Sequence, residues 1–109
     1  MRIAASILLA TLFVAAPASA EEEVDQARIE LGRKVFTEIA QPQCAICHTL
    51  ADAEATGEIG PVLDQLRPDF DRVKKAVVDG IGPMQANEVL SDEEVDAVAY
   101  YVSTVTAAE

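Results

Sequence analysis

Nitrogen and sulfur ligands for a metal are scarce in this 109-residue chain: one histidine, two cysteines and, apart from Met1, a single methionine, Met84. A structural zinc site takes four ligands, so the histidine and cysteines alone fall short of one and carboxylates would have to complete it. Alternating strand patterns, internal repeats and low-complexity tracts are also missing. Without strands there is no βαβ setting for a thioredoxin-like dithiol. Positive charge is scarce too: 8 Lys+Arg stand against 19 Asp+Glu, a formal net charge of −11. That balance disfavours nucleic acid and anionic lipid as partners. It suits a basic docking patch on another protein, and equally the plain solubility of a small exported chain.

The one long apolar run lies at the N-terminus. "MRIAASILLATLFVAAPASA" carries one cation, Arg2, then an apolar stretch broken by Pro17 and closed by Ala18-Ser19-Ala20. It is shorter than the ~20 residues of a spanning helix. The pattern is that of a secretory signal peptide over 1–20, cleaved after Ala20. The remaining 21–109, a single small domain, would then sit in an oxidising compartment such as the periplasm. A domain of that size buries only about 60% of its unfolded surface, so a bound prosthetic group would add core that the chain lacks.

Apolar residues recur at helical spacing in three stretches. In "VDQARIELGRKVFTEIA" they are Val24, Ala27, Leu31, Val35 and Ile39. In "DFDRVKKAVVDG" they are Phe70, Val73 and Val77, with Pro68-Asp69 as a start and Gly80 as a stop. In "SDEEVDAVAYYVSTV", Ser91 and Glu94 have capping-box spacing, and Val95, Val98, Ala99, Val102 and Val105 share a face. The expectation is an all-α fold of three helices and two long loops. Loops of that length usually carry function or hold a ligand.

The first loop opens with Cys44-Ala45-Ile46-Cys47-His48, C-x-x-C-H, the attachment pattern of c-type haem. Two thiols so spaced match the two haem vinyl groups and become thioethers, and the histidine that follows becomes the proximal iron ligand. A disulfide between Cys44 and Cys47 would close too short a loop to staple anything, and would leave His48 unexplained. For the sixth iron position the chain offers Met84, in the Gly/Pro-rich loop "GIGPMQANEVL". A Met/His pair raises the reduction potential. The alternatives are an open sixth position, a lysine such as Lys74 or Lys75, or Met84 as a filler of the core.

With these elements in this order, the chain resembles class I cytochromes c over essentially all of 21–109. "LGRKVF" is similar to the family's N-terminal helix, with Gly32 and Phe36 at its contact positions. "CAICHTL" is similar to the haem site, "GPVL" to the segment whose proline carbonyl accepts from the proximal histidine, "GIGPM" to the ligand loop and "LSDEEVDAVAYYVS" to the C-terminal helix. The resemblance implies crossed terminal helices around one covalent haem c. It implies Cys44 and Cys47 as thioethers, His48 and Met84 as axial ligands, Pro61 as the carbonyl partner of His48, and Tyr100 as the aromatic against Gly32 and Phe36. The Pro83-Met84 order departs from the Met-Pro common in the family. No residue stands out for the haem propionates, since Arg67, Tyr100 and Tyr101 read equally as surface or helix packing.

The function implied is one-electron transfer rather than enzymatic turnover. An iron with six ligands offers no place for substrate, and the electron would pass through an exposed haem edge rimmed by Ala45, Ile46 and 80–87. Redox proteins docking transiently would be the partners. "CHTLADAEATGEIGPVLDQLRPDFDRVKKAVVDGIG" is similar to small monohaem cytochromes that serve periplasmic sulfite dehydrogenases. A generic shuttle to a terminal oxidase, or a haem sensor or enzyme with an open sixth position, are the other readings.

Overall fold

The computed structural model describes residues 3–17 and 19–108. Arg2 and Ala18, on which the export signal partly rests, and the C-terminal Glu109 lie outside the described residues. Residues 3–17 form no helix or strand and bury nothing. Among the described residues no helix is long and apolar enough to cross a membrane.

Helices supply most of the regular structure. α1 spans Ala20–Lys34 and runs on into a single π-helical turn, Val35–Ile39. Ser19 caps it, its Oγ accepting from the Glu22 N–H at 3.3 Å. Three glutamates in the first turn and Arg33 and Lys34 in the last oppose the helix dipole at each end. One turn, α2, spans Cys44–Cys47, and another, α3, spans Leu63–Leu66. α4 spans Phe70–Asp79, with the Asp69 side chain on the Arg72 N–H and Gly80 at φ 74° ending it. α5 spans Asp92–Val105 behind a complete capping box: Ser91 Oγ accepts from Glu94 N–H, and Glu94 Oε1 accepts from Ser91 N–H.

The fold is not helix alone. Thr49–Leu50 (β1) and Ala55–Thr56 (β2) pair antiparallel, with Thr49 opposite Thr56 and Leu50 opposite Ala55. Two-residue strands leave no alternation to read, which is why the sequence shows none. A 3₁₀ turn, Ala51–Ala53, joins them, with Glu54 taking the left-handed conformation at φ 52°.

The core lies where α1 and its π turn meet α5, with α4 packed on α5. A Cβ on Gly32 would lie 2.3 Å from both Ala97 O and Tyr101 Cβ, so only hydrogen fits at the crossing. The aromatic there is Tyr101, not Tyr100. Tyr101 is 0% exposed and meets Phe36 edge-on, with ring centroids 6.3 Å apart at 69°. Ala97 and Tyr101 are one turn apart on α5 and together face Gly32. Tyr100, one position back, turns outward, and the Arg28 guanidinium lies 3.9 Å from its ring centroid. Arg28 also donates to Asp96 Oδ2 through Nε (3.1 Å) and Nη2 (2.9 Å).

The apolar stripe of α1 also starts later than its spacing suggests. Val24 is 59% exposed and Ala27 is exposed, because the first two turns of α1 project beyond the crossing. The buried stripe is Gly32, Val35, Phe36 and Ala40. The π turn makes it possible: the Ala40 N–H donates to Val35 O at 3.0 Å, one residue further back than in an α-helix.

Candidate functional site

The chain leaves the π turn at Ala40 and passes through Gln41-Pro42, a cis peptide, to Gln43. The single turn of α2 places Cys44 and Cys47 on one short helical segment. The Ile46 N–H donates to Gln43 O at 3.1 Å, and the His48 N–H closes the turn on Cys44 O at 3.0 Å. His48 itself is extended, at φ −115° and ψ 135°, so its imidazole departs from the helical path. Both thiols are free and half-buried. Burial pushes the Cys44 thiol up to about 11, so as a free group it stays protonated at neutral pH.

His48 is fixed by what lies opposite. Its Nδ1 is 2.7 Å from Pro61 O. A carbonyl only accepts, so Nδ1 carries the proton and Nε2 keeps its lone pair. This is the tautomer a metal-binding imidazole takes when its other nitrogen is held by a second partner. Gly60 lies flat against the ring: a Cβ there would stand 2.6 Å from His48 Cε1 and 2.9 Å from Nδ1. The Gly60 N–H also donates to Cys47 O at 2.7 Å. Gly57 performs a similar service for the backbone, since its Cβ would meet Ile46 O at 2.5 Å and His48 N at 2.7 Å. Neither glycine is singled out by the sequence reading. The signal was the spacing in "TGEIGP", two glycines three apart just before the proline.

The second loop turns tightly. Ile81 and Met84 exchange backbone bonds of 3.0 and 2.9 Å, with Gly80 at φ 74° and Gly82 at φ 53° supplying the left-handed positions. Met84 is half-buried and packs against the core cluster, as does Cys44. Asn87 closes the loop. Its N–H donates to Val77 O at 2.9 Å, and its side chain spans to Gln41 N–H (3.4 Å) and Pro42 O (3.5 Å). The loop carrying Met84 is thereby tied to the segment that leads into Cys44. Lys74 and Lys75 are exposed on α4, and Arg67 is exposed beyond α3.

The two tyrosines are engaged elsewhere. Tyr100 lies beneath Arg28. The Tyr101 hydroxyl donates to Asp52 Oδ2 at 2.5 Å, and Arg33 donates to the same oxygen at 2.9 Å through Nη2. The Tyr101 hydrogen bond, followed by that of Arg33, holds the Asp52 carboxyl below the usual carboxylate range despite its partial burial. Burial, then the neighbouring Asp52, pushes the Tyr101 phenol well up. Among the described residues no group of three or more His, Cys, Asp or Glu side chains forms a metal cluster.

The donor set fits a covalent haem. It comprises two thiols on one turn, an imidazole whose Nδ1 is satisfied by a carbonyl and whose Nε2 is free, and a thioether in a separate fixed loop. Large apolar side chains remain exposed on the same loops, Ile46 at 54% and Ile81 at 63%.

Known proteins agree on the kind of molecule. A family described as cytochrome c oxidase, cbb3-type, subunit III matches residues 27–102. The crystal structure of the c-type cytochrome SorU from Sinorhizobium meliloti is similar at 63% identity and a TM-score of 0.73, covering 74% of this chain and 93% of that one. No curated protein matches.

Proposed function

The chain belongs to the c-type cytochromes, and from that premise we propose that it is an exported electron carrier whose single haem c has His48 and Met84 as axial ligands. Haem c supplies a one-electron iron couple. Cys44 and Cys47 would hold it through thioethers, and His48 would face the iron through Nε2. The observation that carries the reading is the 2.7 Å contact of His48 Nδ1 with Pro61 O, directly after C-x-x-C. That contact sets the tautomer and the ring orientation.

Met84 enters through its place in a tight turn, half-buried against the same core as Cys44. A redox-monitored visible spectrum of the exported protein beside Met84→Ala tests the assignment. Loss of the sulfur-to-iron charge-transfer band and a lower potential are expected. A variant that keeps both has another sixth ligand. Carbon monoxide that binds the reduced wild type without displacing a ligand would instead indicate an open site.

The electron's path would run through the rim formed by Ala45, Ile46 and the 80–87 loop. The acidic charge would steer encounter with a partner presenting a basic patch, so electron-transfer rates should fall as salt rises. A sulfite dehydrogenase is the donor this reading favours, on the likeness of residues 47–82 to cytochromes serving such enzymes. Sulfite-dependent reduction of this protein by a purified sulfite dehydrogenase tests it, and a terminal oxidase is the alternative partner. Cleavage after Ala20 and a periplasmic location belong to the same reading, supported by the short apolar run that ends in Ala18-Ser19-Ala20. The mass of the exported protein should place Glu21 at its N-terminus.

A further inference from the structure

We propose that Asp52 is a positioning residue for His48: it ties the segment leaving His48 to the crossing of α1 and α5 through Tyr101 and Arg33. The inference rests on the haem reading above.

Asp52 lies four residues after His48, on the 3₁₀ turn between β1 and β2. Its Oδ2 accepts from Tyr101 OH at 2.5 Å and from Arg33 Nη2 and Nε at 2.9 and 3.2 Å. The three residues come from α5, the last turn of α1 and the site loop, so one carboxylate oxygen joins segments 19 and 49 residues away in sequence. The Arg33 guanidinium also lies 5.4 Å from the Tyr101 ring centroid. Charge-assisted bonds of this kind are shorter and about twice as strong as neutral ones.

From Asp52 the connection runs toward His48 through hydrogen bonds joined by short stretches of backbone. The neighbouring Ala51 N–H donates to Asp64 Oδ2 on α3 at 3.0 Å. Asp64 stands three residues after Pro61, whose carbonyl accepts the hydrogen bond from His48 Nδ1–H. On the other side, Thr49 Oγ1 donates to Gly57 O at 2.9 Å, and the Gly60 N–H donates to Cys47 O at 2.7 Å. The residues after His48 and those opposite its ring are thus bound to each other, and Asp52 is where both are bound to the helices. The helix crossing does not need this bond. The Tyr101 ring is buried against Gly32 and Phe36 whatever its hydroxyl meets.

Tyr101→Phe isolates the effect, because it keeps the ring and deletes only the donor. Asp52→Ala removes the acceptor, and Asp52→Asn restores an oxygen for Tyr101. The measurement is hydrogen exchange by NMR on the holoprotein, at the Ala51 and Gly60 amides and at His48 Nδ1–H. Tyr101→Phe and Asp52→Ala should exchange severalfold faster at those three sites and remain unchanged at amides within α5. Asp52→Asn should fall between wild type and Asp52→Ala. Unchanged exchange at His48 and Gly60 in Tyr101→Phe overturns the proposal, as does acceleration by one common factor throughout the chain. A protein that matures without colour overturns the haem reading instead, so the two failures are distinct.

Discussion

The helix crossing and the site loops are held by different physics. At the crossing, apolar side chains are removed from water: Val35, Phe36, Val98, Tyr101 and Val102 are all essentially inaccessible. Burial of that kind is worth roughly 1.5–3 kcal/mol for each large side chain and tolerates small shifts. The site loops bury fewer large side chains, Leu50 and Leu63 among them. Their geometry comes from single hydrogen bonds, from glycines pressed against backbone or ring, and from left-handed positions at Glu54, Arg67, Gly80 and Gly82. Stability is therefore concentrated in one region and precision in the other. Perturbing the first should unfold the molecule; perturbing the second should misplace a ligand in a folded one.

Gly32→Ala should break the comparison from the helix side. Its Cβ would lie 2.3 Å from Ala97 O, and backbone cannot swing aside as a side-chain tip can. The expected net loss is about 2–3 kcal/mol of unfolding free energy, the strain outweighing a gain of about 1 kcal/mol in helix propensity. Denaturant titration reads it, and the visible spectrum of the molecules that remain folded should be unaltered.

Gly60→Ala should do the reverse. The new methyl would meet the His48 ring at 2.6 Å and force it off Pro61 O. Stability should fall by only about 1 kcal/mol, the net worth of a hydrogen bond. The reduction potential and the haem absorption should shift clearly. A Gly60→Ala protein that is strongly destabilised yet spectrally normal would erase the distinction between the two regions.

Ser91→Ala tests the helix side more gently. Losing half of the capping box should cost about 1 kcal/mol with no spectral change, measured by thermal unfolding.

The smallest effect is in pH. The folded Asp52 pKa lies below its unfolded value, so the stabilisation from that carboxylate is complete above about pH 4 and lost as pH falls below it. The folded Tyr101 pKa lies above its unfolded value, so its contribution is complete below about pH 10 and lost as pH rises past it. Stability measured against pH should be flatter at the acid end in Asp52→Asn and at the alkaline end in Tyr101→Phe.

The same division explains what the sequence makes legible. Burial by helices leaves a period, so α1, α4 and α5 can be read from Val35, Val73, Val77, Val95 and Val98, and the cap from Ser91 and Glu94. The C-x-x-C-H pattern is legible because its chemistry is local. Tyr101 is harder to find, because two adjacent tyrosines differ by only one position's rotation on α5. The π turn hides for a related reason, its i to i+5 bond altering a register that a regular period assumes. Asp52, Gly57, Gly60 and Asn87 act through contacts with residues elsewhere in the chain. Short strands of two residues leave no pattern at all.

The start of α1 bears on maturation. Its cap, Ser19, belongs to the stretch expected to be removed, and cleavage after Ala20 would begin the mature chain inside the helix's opening turn. A cap worth about 1 kcal/mol would go, and a new ammonium would appear at the positive end of the dipole, beside three glutamates that temper it. Val24 and Ala27 are exposed, so loosening of those turns would uncover no core side chain. If cleavage falls there, those two turns would be a fuse between processing and fold: they would fray while the residues from Gly32 onward keep their place.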